Sequence, residues 1–223
     1  MTEGSHHLFV FTLPNEELTG TGLVDCPGGH LEFHDFIHAS QTPKMLIPYG
    51  PGIGRFVAAG TGFRIMLHII NATDTPKDAF VKLRTTYVDP DAVTYRAASM
   101  FLNYIGLSVP PGKSTVKASY EIPYDIYMIG ALSHMHSRGV HFLAQTDDGR
   151  KLFETDTWEE PTPVAFDPPV KIDKGTKIEW SCDYQNDTGL TMTFGESAAK
   201  NEMCIFPGKF YGGDGSGIVP LVP

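Results

Sequence analysis

Apolar and polar residues alternate over short stretches along this chain, and each stretch ends at glycine or proline. The segment 80–86 illustrates it: Phe80, Lys82, Arg84 and Thr86 fall on one face of an extended chain, and Val81, Leu83 and Thr85 on the other. Similar stretches predict strands at 7–13, 63–71, 80–88, 114–121, 126–133, 140–146, 177–184 and 203–210. Alternation of this kind belongs to antiparallel sheets with one wet face. The 23 glycines and 17 prolines punctuate the runs at the spacing of an all-β sandwich rather than of a helical fold. Val109-Pro110-Pro111-Gly112 and the stretch 161–169 read as turn-rich interruptions, and 48–52 reads as a loop.

A length of 223 residues is enough for two sandwiches. With a boundary in 89–96, the expectation is two antiparallel, jelly-roll-like β-sandwich domains, 1–95 and 96–223. The first then lacks a strand or two at its start, and the opening Met1 reads as an internal methionine of a longer protein.

Charge and composition narrow the functional classes. Asp and Glu number 26 against 17 Lys and Arg, and no basic cluster stands out, which argues against a nucleic-acid binder. Small, weakly charged partners fit better. The longest apolar runs are strand-sized, so no transmembrane segment is expected, and no basic segment followed by an apolar core opens the chain, so a secretory signal is absent or has been removed. Three cysteines permit at most one internal bridge. The sequence leaves the oligomeric state open.

Candidate chemistry concentrates in histidines and one methionine. In Ser133-His134-Met135-His136, the two imidazoles of an H-x-H pair in a strand point to the same face, where they can chelate one metal; two solvated polar residues are the alternative. Downstream, Met203 precedes Cys204. Two imidazoles with a thioether form a soft, neutral set suited to Cu(I) rather than to Zn(II), Mg(II) or Ca(II). His6 and His7 are neighbours, so they can share a metal only at a strand end or irregularity. Gly4-Ser5-His6-His7 also reads as the remnant of an affinity tag. His68 lies in an apolar stretch, as a metal ligand or as a buried, hydrogen-bonded core histidine. His30, His34 and His38 would line one face if they lay on a helix, though their surroundings read as loop and packing residues. Glu196 and Glu202, near Met203, read as solvated surface residues, with a hydrogen bond to a ligand imidazole as the other role.

In order and context these residues resemble the copper type II, ascorbate-dependent monooxygenases, the family of peptidylglycine α-hydroxylating monooxygenase and dopamine β-monooxygenase. The resemblance runs through His6-His7, the segment 62–69, the 109–112 turn, His134-Met135-His136 and Glu202-Met203-Cys204. It implies an electron-storing copper on His6, His7 and His68, and a second copper on His134, His136 and Met203, where O2 and substrate react. It also implies a Cys182–Cys204 disulfide, leaving Cys26 without a partner in this chain.

The implied activity is hydroxylation of a C–H bond of a small organic substrate with O2 and a reductant such as ascorbate. A non-catalytic copper protein for storage, sensing or transport is the alternative, and a blue-copper carrier using a Cys204 thiolate is a second one. A bridge requires an oxidising compartment, so a secreted or periplasmic protein with its signal upstream is expected. Where the peptide-amidating members place residues that recognise a carboxylate, this chain has Leu132, Ile205 and Pro207. The resemblance therefore points away from a carboxylate-bearing peptide, because a buried carboxylate without a donor is costly.

Overall fold

A computed structural model describes residues 5–13, 22, 36–42, 44–46, 48–69, 71 and 73–223; for Ser5, His6 and His68 it describes the backbone alone. The chain is all-β, and the described residues include no α-helix and only one short 3-10 turn, at Pro90–Ala92. No helix among them is long and apolar enough to cross a membrane. The chain divides into two compact units, Met1–Ala97 and Ala98–Pro223.

In the first unit, β1 (Ser5–Leu13), β2 (Phe36–Ser40) and β4 (Gly62–Ile69) form a three-stranded antiparallel sheet with β1 in the middle. Leu8, Phe9, Val10, Phe11 and Leu13 of β1 are buried, as a central strand covered on both faces would be. Phe11 meets Phe36 edge to face at 5.8 Å. Between β2 and β4, β3 (Ile53–Gly54) pairs in parallel with Tyr95 and Arg96, and the Arg96 guanidinium lies over the Phe56 ring. The strand predicted at 80–88 does not form: the segment joins no sheet among the described residues, and most of its residues are exposed. Alternation supplied the pattern, but a strand is stabilised only by neighbours that complete its ladder.

The strand β5 (Tyr95–Tyr104) opens where a domain boundary was expected and carries a run of buried residues from Ala97 to Asn103. It is followed by β6 (Ser108–Val109), β7 (Gly112–Glu121), β8 (Ile126–Ala131), β9 (His134–Met135), β10 (Gly139–Thr146), β11 (Lys151–Thr155), β12 (Val164–Ile172), β13 (Lys177–Asn186), β14 (Met192–Thr193), β15 (Cys204–Gly212) and β16 (Leu221–Val222). Two sheets dominate the second unit. One has the order β11-β10-β13-β7; the other runs β12-β8-β15-β5-β16, with β9 pairing beside β15.

The two sheets form a sandwich. In β13 every second residue is buried, from Ile178 through Trp180, Cys182 and Tyr184 to Asn186. Trp180 donates its indole N–H to the Cys204 carbonyl at 3.2 Å, Tyr184 donates its hydroxyl to the Met203 carbonyl at 2.7 Å, and Phe142 stacks on Phe206. The Cys182–Cys204 disulfide joins the two layers covalently. Each fully buried aromatic or aliphatic side chain in this layer contributes about 1.5–3 kcal/mol relative to exposure.

The stretch 161–169, read as an interruption, instead belongs largely to β12. The strand pairs with β8 at Val164 and Ala165, breaks register, and resumes at Val170–Ile172. Proline removes a ladder donor, and β12 tolerates Pro168 and Pro169 because it is an edge strand and they fall in the register break.

Candidate metal centre

The strongest cluster lies where β9 meets the start of β15. Register there is antiparallel, with Cys204 opposite Met135 and Ile205 opposite His134. The ladder ends there, with β9 stopping at Met135 and β15 starting at Cys204; carried one step further, the same register would set Met203 opposite His136. Residues directly opposed across such a pair share a face. His134 and Ile205 therefore share one face of the sheet, while Cys204 turns to the other, where Cys182 meets it; strand alternation continued by one residue would put His136 and Met203 on the His134 face. The two imidazoles are edge to face with centroids 5.4 Å apart. His134 is 2% exposed, His136 0% and Met203 4%, which replaces solvated histidines with a buried pair.

His136 is held in a fixed state. Its Nδ1 lies 3.1 Å from the Asn201 carbonyl oxygen. A carbonyl only accepts, so Nδ1 carries a hydrogen, and the buried Nε2 is the nitrogen that would bind a metal. This is the orientation a metal ligand needs, set in the usual way by a carbonyl behind the ring.

Around that ring is a clamp the sequence did not reveal. Glu202 is fully buried, contrary to the expectation of a solvated residue, and it bonds the backbone rather than the imidazole. Its Oε2 accepts from the His136 N–H at 3.1 Å, and its Oε1 accepts from the Arg138 N–H and from Arg138 Nη1, each at 3.1 Å. Arg138 donates onward to the carbonyls of Ala198 and Ala199. Burial pushes the Glu202 carboxyl above its ordinary range, and the bonds from Arg138 and His136 pull it back. Glu196 is only half-buried.

The other predicted ligands lie in the first unit. His7 is register partner to His68 across β1 and β4, which puts these two residues on the same face of the sheet. The register shifts between Ser5 and His7, so the irregularity that two adjacent histidines would need falls at His6. The His7 ring packs against Phe9 at 4.9 Å. His38 lies on strand β2 opposite Val10, not on a helix, while His30, His34 and Cys26 lie outside the described residues.

Among the described residues no three His, Cys, Asp or Glu side chains group as a metal site. Two imidazoles and a thioether are a different kind of set, since the third donor is a methionine sulfur. With Cys204 in a disulfide, no thiolate is left there for a blue-copper ligand. A hollow of about 410 Å³ over the outward face of β10, β13 and β7 is lined by Lys117, Ser119, Gln145, Glu179 and Ser181 among others, and by none of the candidate ligands.

No protein-family model and no curated protein matches the chain. Two solved structures from infectious bursal disease virus are similar to it at a low level. The structure of the Gx strain is 12% identical over 93% of this chain and 63% of that one, with a TM-score of 0.20. The VP2 subviral particle is 11% identical over 95% of this chain and 62% of that one, with a TM-score of 0.21. The chain thus spans under two thirds of each.

Proposed function

We propose that this chain is a copper-dependent monooxygenase that hydroxylates a C–H bond of a small, weakly charged organic substrate with O2 and a reductant such as ascorbate. The observation that carries the reading is the buried, edge-to-face pair of His134 and His136, with the His136 Nδ1 hydrogen on the Asn201 carbonyl so that Nε2 is the nitrogen that would bind a metal, and with Met203 buried just before the opposing strand. Two imidazoles and a thioether are neutral and soft, as Cu(I) prefers. His6, His7 and His68 would hold a second copper, for which the His7–His68 register and the shift at His6 give support. Copper cycling between its two oxidation states would supply the electrons that O2 activation requires.

The chain's own contribution is placement. Asn201 orients the His136 ring, and the Glu202–Arg138 pair holds its backbone. Ile205, opposite His134, together with Leu132 and Pro207, makes the neighbouring strand surface apolar and buried. Such a surface desolvates an apolar C–H substrate at little cost and penalises a carboxylate. The disulfide fits an oxidising compartment, and we read the protein as secreted or periplasmic.

The test is copper content by elemental analysis of tag-free, reconstituted protein, with ascorbate-dependent oxygen uptake measured alongside. Two coppers per chain are expected, one lost in His134→Ala and the other in His68→Ala, with oxygen uptake that needs both. Protein that retains no copper after dialysis overturns the reading. Copper retained without reductant-dependent uptake would instead favour a storage, sensing or transport protein.

A further inference from the structure

The chain contains two Asn-x-Thr tripeptides, Asn71-Ala72-Thr73 and Asn186-Asp187-Thr188. This is the acceptor pattern for N-linked glycans, which sit on the surface loops of secreted proteins. Both sites share one local geometry. In each, the threonine N–H donates to the asparagine Oδ1 at 3.1 Å and the threonine hydroxyl donates to the same oxygen at 2.7 Å. What differs is the nitrogen that would be modified.

Asn186 ends β13 and is 1% exposed, and its Nδ2 donates to the carbonyls of Val109 at 3.0 Å and Leu190 at 2.8 Å. A sugar there would break both bonds in a place with no room for it, so a molecule carrying one does not reach this fold. Asn71 stands two residues beyond the end of β4, and both it and Thr73 are exposed. Its Nδ2 bonds only locally, to the Thr75 carbonyl at 2.9 Å, and residues 73–88 that follow belong to no strand or helix. An enzyme can therefore take up this segment without unfolding a sheet.

We propose that Asn71 carries an N-linked glycan in the folded, secreted protein and that Asn186 does not. The donor class is an oligosaccharide on a lipid pyrophosphate. Nδ2 of Asn71 attacks the anomeric carbon and a C–N bond forms. The C–O bond to the pyrophosphate breaks, the lipid pyrophosphate leaves with its electron pair, and Nδ2 gives up one proton. The compartment that holds such donors, the ER lumen, is also one in which the Cys182–Cys204 bridge forms.

The experiment is secretion of the full chain from a eukaryotic host, followed by peptide mapping before and after enzymatic glycan release, which converts the carrier asparagine to aspartate. The expected result is a glycan on Asn71 alone, lost in Asn71→Gln and Thr73→Ala and kept in Thr73→Ser. Thr188→Ala should leave the glycan in place. Secreted protein with Asn71 bare, or with the glycan on Asn186, overturns the proposal. Because Thr73→Ser preserves the acceptor pattern, a failure of that variant to carry sugar counts against it as well.

Discussion

His136 is fixed at three points: its backbone N–H on Glu202, its carbonyl on the Gly139 N–H, and its Nδ1 on Asn201. The Gly139 bond is a local turn, but Glu202 and Asn201 could not be picked out from the H-x-H spacing, because they lie 66 and 65 residues away and Glu202 shares its carboxylate with Arg138. The spacing made the imidazole pair legible, and tertiary contacts alone made the clamp. Arg138→Ala leaves a buried carboxylate without its cation, and removing one partner of a buried pair costs about 3–5 kcal/mol. Chemical denaturation should show that loss, with Arg138→Lys intermediate because a lysine cannot reach two carbonyls and a carboxylate at once. For Met203→Ile the expectation is loss of oxygen-dependent turnover with one of two coppers retained; unchanged turnover would remove the thioether from the mechanism. Tyr184 gives a pH dependence. Burial holds its phenol well above the ordinary value of 10.0, with Glu202 as a second cause. A folded-state value above the unfolded one means its contribution is complete below the ordinary value and is lost as pH rises through the folded value. Tyr184→Phe should cost about 1 kcal/mol near neutral pH, where a hydrogen bond is lost. It should also flatten the decline in urea stability above about pH 10.

At the scale of elements, the sequence predicted those strands that alternate and also find partners. β7, β10 and β13 were predicted from alternation, and β13 pairs with both of the others, on one side with a shift near Gly139. The segment 80–88 has the same alternation and belongs to no strand, while β5 hides its strand character in a buried run through Ala97, Ala98 and Ser99 that alternates on neither face. The short β9 is positioned by its neighbours. A Cβ on Gly139 would lie 2.8 Å from both Cβ and Sδ of Met135, the residue between the two histidines. Gly139→Ala should therefore displace β9, at a cost of about 1–3 kcal/mol for overpacking, and weaken copper retention more than it lowers the unfolding midpoint would suggest. The bridge from β13 to β15 closes a separation of 22 residues. By loop-closure entropy its removal in Cys182→Ser with Cys204→Ser should cost about 3 kcal/mol, measurable by thermal unfolding with and without copper.

For the whole molecule, the net charge of −9 and the absence of a basic cluster fit small-molecule chemistry better than nucleic-acid binding. Each candidate ligand set belongs to one unit, so a variant in one set should remove one copper without the other. The register break in β12 bears on how copies of the chain meet one another. A sheet edge displays bare donors and acceptors that can template a strand from a second copy. Here the outermost strand is split into paired runs of two and three residues, and the prolines in the gap offer no N–H. Edge-to-edge zippering through β12 finds no continuous ladder to extend, so the sandwich can be concentrated without that route to fibrils.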